Sequence, residues 1–309
     1  MKKAIINRAG SIKAKLLNLA RVEKIDFDAL LLRYFQERFL YRITISKFNR
    51  HFVLKGGLFL IYLNIPKSRA TKDMDFLGVG LKNTPADIKR VFAEIADISC
   101  DDGVKFDSQS ISSEEIKPDT EYPGIRLKIN AYLGKARKRL QLDTGFGDAI
   151  WPKSNQMVFP TIAGGEPPKI KVYSLESVIS EKFEAMVKLA MANSRMKDFY
   201  DVYILASNHS FQGKILQKAV GMTFRRRKTP LPDDPLVFRA EFYADKSRQQ
   251  QWIAFLRKAR LDNAPREFKN VMRRITLFLK PAVFSILNKN DLNKVWNAKT
   301  GRWAFPRMR

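Results

Sequence analysis

Cysteine is nearly absent: among 309 residues only Cys100 carries a thiol. A single thiol allows no intrachain disulfide and no cysteine-rich zinc site, so a reducing compartment, the cytoplasm, is the expected location. Histidine is almost as scarce, with His51 and His209 alone. A three-histidine metal site is therefore excluded, and any metal must be held by oxygen, a donor set that suits a hard cation such as magnesium. Long apolar runs are missing as well. Lys2, Lys3, Arg8, Lys13 and Lys15 interrupt the start of the chain, which leaves no apolar core for a signal peptide. No later window reaches about 18 uncharged apolar residues, so no membrane span or membrane partner is expected. Negative charge is in deficit: 31 Asp and Glu face 57 Lys and Arg, a formal net charge of +26.

What is present is enough to fold. Hydrophobic residues make up 45% of the chain, with 22 Phe, 9 Tyr and 4 Trp to bury, which excludes disorder throughout. At about 150 residues per domain the length implies two domains. The positive charge is concentrated late, since Gly213 to Arg309 contains 23 Lys and Arg against 7 Asp and Glu. Such a field attracts a polyanion, and nucleic acid is the commonest one in a cytoplasm; a solvated basic face is the plainer alternative. The run Arg225, Arg226, Arg227, Lys228, followed by Pro230, Pro232 and Pro235, reads as an exposed basic loop, either linker or clamp.

Apolar residues at spacings of three and four predict helix from about Ile12 to Ile45, interrupted at Asp26 to Asp28. A short apolar strand, Phe52 to Leu54, then leads through glycines and an apolar helix to another strand. Ile125 to Leu133 alternates, with Ile125, Leu127 and Ile129 on one side and Arg126, Lys128 and Asn130 on the other. Arg139 to Asp143 alternates again after a turn, which predicts an antiparallel hairpin. From Ser174, a potential helix cap, the pattern becomes helical.

The segment Lys55 to Leu77 carries the chemistry. Asp73 and Asp75 are two apart, so on a strand both carboxylates project to one face while Met74 and Phe76 project to the other. Adjacent carboxylates repel, and divalent cations between them relieve the repulsion; two such ions can clamp the oxygens of a phosphoryl transfer. Gly56 and Gly57 stand between an apolar strand and an apolar helix, the order of a phosphate cradle. There the missing Cβ lets amides approach a polyphosphate and a helix start adds partial positive charge. Either signal alone is as compatible with a plain turn or a solvated strand edge.

Together, Leu54, Lys55, Gly56 and Gly57, then Arg69, Thr71, Asp73 and Asp75, resemble the nucleotidyltransferase signature of the polymerase-beta-like superfamily. The closer resemblance is to the AbiEii abortive-infection toxins, whose pattern is L-K-G-G followed by R-x-T/S-x-D-x-D. The run Arg38 to Arg42 through Ser46 is similar to that family's lead-in, and E-K-F-E-A-M at Glu181 to Met186 and R-M-K-D-F-Y-D at Arg195 to Asp201 resemble its later motifs. One departure is Leu58, where the family often has Thr or Ser. The superfamily implies a third carboxylate from a neighbouring strand. Asp143 has the parity for it, with Asp148 a rival beyond Gly145 and Gly147. Lys182 falls on the apolar stripe of its helix, either snorkelling or aimed at nucleotide phosphates, with Asp198 and Asp201 placed to orient it or Arg195.

The expected fold is α+β: a polymerase-beta-like nucleotidyltransferase core with a mixed sheet over residues 1–170, then a basic, mostly helical lobe over 171–309. The resemblance implies transfer of a nucleoside monophosphate from a nucleoside triphosphate to an RNA acceptor, transfer RNA, by a toxin with an antitoxin partner. Asp73, Asp75 and Asp143 would hold magnesium, Gly56, Gly57, Arg69 and Thr71 would bind the triphosphate, and Lys182 and Asp198 would join the catalytic set. The alternatives are a non-catalytic nucleic-acid-binding protein on the same scaffold and a two-metal nuclease.

Overall fold

The computed structural model describes residues 7–63, 71–116 and 124–306. It is mixed α and β, with two compact units. One holds the chain up to Tyr62 together with Thr71–Gly147 and Asn155–Val172; the other holds Asp148–Ser154 and Tyr173 onward.

The first unit opens with helices α1 (Arg8–Glu23) and α2 (Phe27–Ile45). The break between them is chemical: the Asp26 side chain accepts from the Ala29 amide and starts the second helix. Next come β1 (Phe52–Lys55), α3 (Gly56–Tyr62), β2 (Asp73–Gly78), α4 (Pro85–Ala96), β3 (Val104–Ile116), β4 (Gly124–Leu133), β5 (Ala136–Phe146), β6 (Asn155–Val158) and β7 (Lys169–Val172). The seven strands form one sheet in the order β3-β4-β5-β2-β1-β7-β6. It is mixed, because β2 runs parallel to β5 and β1 parallel to β7 while the other pairs are antiparallel. The β4–β5 hairpin and the order β1, α3, β2 follow the sequence pattern. β3 escapes that pattern because a register shift between Asp107 and Ser112 interrupts its alternation.

Phenylalanines hold the helices to the sheet. Phe52 and Phe92 ring centres lie 5.0 Å apart, Phe52 and Phe76 5.6 Å, and Phe39 meets Phe106 edge-on at 5.0 Å. Arg38 and Arg42 on α2 are tied into the fold by ion pairs. Arg42 makes a two-pronged pair with Asp102 at 2.6 and 3.1 Å, both residues buried. Arg38 pairs with Glu37 at 2.8 Å and donates to the Glu166 carbonyl at 2.9 Å. Burial pushes the Glu37 carboxyl up, and Arg38 and the Ile162 amide pull against it.

The second unit is mainly helical: α5 (Leu175–Leu189), α6 (Met196–Asn208), α7 (Gly213–Arg226), α8 (Ala240–Tyr243), α9 (Lys246–Ala259) and α10 (Phe268–Leu287). Ser174 caps α5 by accepting from the Ser177 amide. A small sheet of β8 (Phe211–Gln212), β9 (Val295–Asn297) and β10 (Arg302–Ala304) goes beyond the sequence reading, since strands of two or three residues carry no usable period. It is pinned by Trp296, fully buried, whose indole donates to the Ala206 carbonyl at 2.7 Å.

The Arg225–Lys228 run is the end of a helix rather than a loop, for α7 continues through Arg226. Arg227 is drawn inward by Asp148 at 3.0 Å, Glu181 at 3.2 Å and Glu184 at 2.8 Å, and Thr229 donates to Glu184. Burial works against the Arg227 charge, but the three carboxylates outweigh it and push its pKa up. Among the described residues, no helix is long and apolar enough to cross a membrane.

Candidate active site

β2 presents two different faces. Met74 and Phe76 are fully buried, and that anchoring fixes the register, since a one-residue slip would exchange them for carboxylates. Asp73 and Asp75 therefore share the opposite, half-exposed face. β5 lies beside β2 with Asp75 opposite Asp143 and Asp73 opposite Gln141. Adjacent strands are about 4.8 Å apart, so Asp75 and Asp143 are side-by-side carboxylates. The same row continues across the sheet to Lys55 on β1 in one direction and to Arg126 on β4, then Glu114 on β3, in the other. Its two central acids are thus flanked by cations.

Gly56 sits directly against Asp75. Its φ is +70°, and a Cβ added there would lie 2.7 Å from Cγ and 2.8 Å from Cβ of Asp75 and overlap a carboxylate oxygen. Only glycine tolerates both the left-handed backbone and this approach. Gly57 is buried in the first turn of α3. That helix has seven residues, so the close seat for Asp75 is a firmer contribution from Gly56 than a helix dipole, which needs aligned turns. Thr71 is half-exposed in the segment leading into β2. Arg69 lies outside the described residues.

Asp143 occupies the predicted strand and face, and its carboxylate is engaged by protein donors. Arg126 donates Nε to Oδ1 at 2.9 Å and Nη2 to Oδ2 at 2.8 Å, and the Gln141 amide donates to Oδ2 at 3.2 Å. Hydrogen bonding to Asp143 pushes the Arg126 pKa above its ordinary value; burial opposes this, and the charges of Asp143, Asp73 and Glu114 add to it. Among the described residues, no three His, Cys, Asp or Glu side chains converge closely enough to hold a metal. The donor set nevertheless suits a hard cation: Asp73 and Asp75 project to one face, and magnesium is commonly held by one or two carboxylates plus substrate phosphates. The sequence reading missed Arg126 as a site residue. Its strand parity, the same as that of Lys128 and Asn130, was the signal that could have found it.

Lys182 and Asp198 come together in the second unit. The Lys182 ammonium lies 2.9 Å from Asp198 and 2.8 Å from Asp201, and Arg195 reaches Asp198 at 2.7 Å. Burial pushes the Asp198 carboxyl up, yet Lys182 and Arg195 more than offset it and hold it below the usual carboxylate range. The rival third acid, Asp148, belongs to this unit and is engaged by Arg227.

The family model for the AbiEii nucleotidyl transferase toxin of type IV toxin–antitoxin systems matches residues 38–274. The chain belongs to the AbiEii family. Its activity class is nucleotidyl transfer, and membership in an AbiEii toxin–antitoxin system implies a nucleotide substrate and an antitoxin partner. Two solved structures are similar to this AbiEii chain. A candidate nucleotidyltransferase from H. pylori has 17% identity and a TM-score of 0.49, over 86% of this chain and 98% of its own. JHP933 from Helicobacter pylori has 18% identity and a TM-score of 0.48, over 85% and 95% respectively. Among curated proteins, none matches the sequence.

Proposed function

We propose that this AbiEii protein moves a nucleoside monophosphate from a nucleoside triphosphate to a hydroxyl of an RNA acceptor, with transfer RNA as the acceptor and magnesium as the metal, in the cytoplasm. The observation that carries the reading is the acidic face of β2 and β5, with Asp75 seated on Gly56 and Asp143 in register beside it.

In this scheme the acceptor oxygen attacks the α-phosphorus and the bond to the bridging oxygen of the β-phosphate breaks, so pyrophosphate leaves. Asp73 and Asp75 would hold the metal, which would neutralise phosphate charge and lower the pKa of the attacking hydroxyl. Asp143 would complete the metal site and accept the proton of the attacking hydroxyl. Gly56, Gly57 and Thr71 would cradle the triphosphate, and Arg69 would neutralise charge on the leaving group. Lys182 is already matched by two aspartates, so Lys182 and Asp198 contribute by holding α5 to α6. The basic second unit holds the acceptor.

The test is incubation with each labelled nucleoside triphosphate, magnesium and total transfer RNA. Label should join RNA, and Asp73→Asn should reduce the rate by about a hundred- to a thousandfold, the scale of losing a preorganised electrostatic group. Shortened RNA would instead indicate a nuclease, and bound but unchanged RNA a binding protein. RNA affinity should also fall steeply as salt rises, because lysines and arginines displace condensed counterions. A flat response in a filter-binding titration would remove the basic unit from acceptor binding.

A further inference from the structure

Both oxygens of Asp143 accept from protein donors, Oδ1 from Arg126 and Oδ2 from Arg126 and Gln141. A cation at Asp143 must share the carboxylate with the Arg126 guanidinium, whose like charge opposes it until the guanidinium moves away. Arg126 is the partner free to leave. Its side chain keeps 33% of its exposure against 17% for Asp143, and its other acidic neighbour across the strands, Glu114, already accepts from Lys128 at 3.3 Å. Gln141 and Asp143 project from one strand, whereas Arg126 reaches across from β4.

We propose that Arg126 is a positioning residue that serves as the resident counter-cation of the third carboxylate, so that polyphosphate and divalent metal load together. The guanidinium fork matches a carboxylate and a phosphate equally well in geometry. A polyphosphate arriving over Gly56 offers Arg126 anionic oxygens to move to. That movement frees Asp143 to join Asp73 and Asp75. Without polyphosphate, Arg126 and a divalent cation compete for the same carboxylate, which keeps metal affinity low. The coupling is reciprocal: whatever polyphosphate does for metal binding, metal does for polyphosphate binding. This inference rests on the transferase reading for the identity of the site, but its test does not depend on transfer.

The experiment uses the full chain and manganese as the probe, titrated by electron paramagnetic resonance without nucleotide. Arg126→Gln should bind manganese about ten- to a hundredfold more tightly than wild type, the scale on which partners of ligand side chains tune metal affinity. Arg126→Gln with Asp143→Asn should fall back toward the wild-type value, since the gain is carried by the released carboxylate. Inorganic tripolyphosphate, titrated without metal, should bind Arg126→Gln more weakly than wild type. A merely structural arginine would leave manganese affinity unchanged or lower it. Should Arg126→Gln melt early, Arg126→Lys keeps the charge without the fork and should still bind manganese more tightly than wild type. The absence of a gain in both variants overturns the proposal. Tightened manganese binding in a chain that labels no RNA would sink the acceptor reading and spare Arg126; RNA labelling without tightened manganese binding would do the reverse.

Discussion

Gly56→Ala should lower nucleotidyl transfer by about a hundred- to a thousandfold, in a protein that remains folded. Two effects separate at this position. An alanine at φ +70° costs about 1–2 kcal/mol of backbone strain, which lowers the melting temperature by a few degrees at most in a chain of this size. The larger effect is local. The new methyl would occupy space held by Asp75, and the contact reaches past the carboxylate to its Cβ at 2.8 Å. Rotating the side chain cannot relieve it. β2 cannot shift easily either, because Met74 and Phe76 on both sides of Asp75 are fully buried. The Asp75 carboxylate is displaced from its place beside Asp143. Gly164→Ala is the control: it has φ +88° and nothing within 4 Å of the added atom, so it carries the strain without the displacement and should keep wild-type transfer. Transfer rates and thermal melts on the two variants decide the matter, and a Gly56→Ala rate within tenfold of wild type would show that the seat of Asp75 is dispensable.

The same residues show what a sequence can and cannot disclose. Asp73, Asp75 and Asp143 were legible because strand parity depends only on neighbouring side chains: Met74 with Phe76, and Leu140 with Leu142, must turn to the core. That the two strands would lie in register was less accessible, since the parallel pairing of β2 with β5 joins segments far apart in the chain. Arg126 and its hold on Asp143 depend on that pairing together with the β4–β5 register. The closeness of Gly56 to Asp75 depends on β1 pairing back on β2 around α3. The Arg225–Lys228 run misled for a related reason. Four adjacent cations and three prolines read as solvated chain, whereas the three carboxylates that draw in Arg227 come from Asp148, Glu181 and Glu184, distant in sequence. Parity and caps are local properties; charge pairing across elements is not.

Lys182→Met should destabilise the second unit by about 3–5 kcal/mol, the cost of removing one partner from a buried ionic cluster. Asp198 and Asp201 are 0% and 1% exposed, so neither can recover its lost partner from water. Methionine fills the apolar stripe of α5 about as well as the lysine stem does, so the loss reports charge rather than packing. Adding Asp201→Asn should restore part of the loss, because Arg195 still neutralises Asp198. The pH dependence has a definite sign. Asp198 is held below the usual carboxylate range in the folded chain, so its contribution is present above the unfolded value of about 3.9 and is lost as pH falls through the folded one. Lys182 is the leading charge behind that depression. The stability gap between wild type and Lys182→Met should therefore be widest near neutrality and narrow below about pH 4. Denaturant midpoints of the two proteins from pH 7 downward measure it. A gap that stays constant with pH would mean that the Lys182 ammonium does not hold Asp198 ionised, and that its place on the apolar stripe reflects packing of its stem alone.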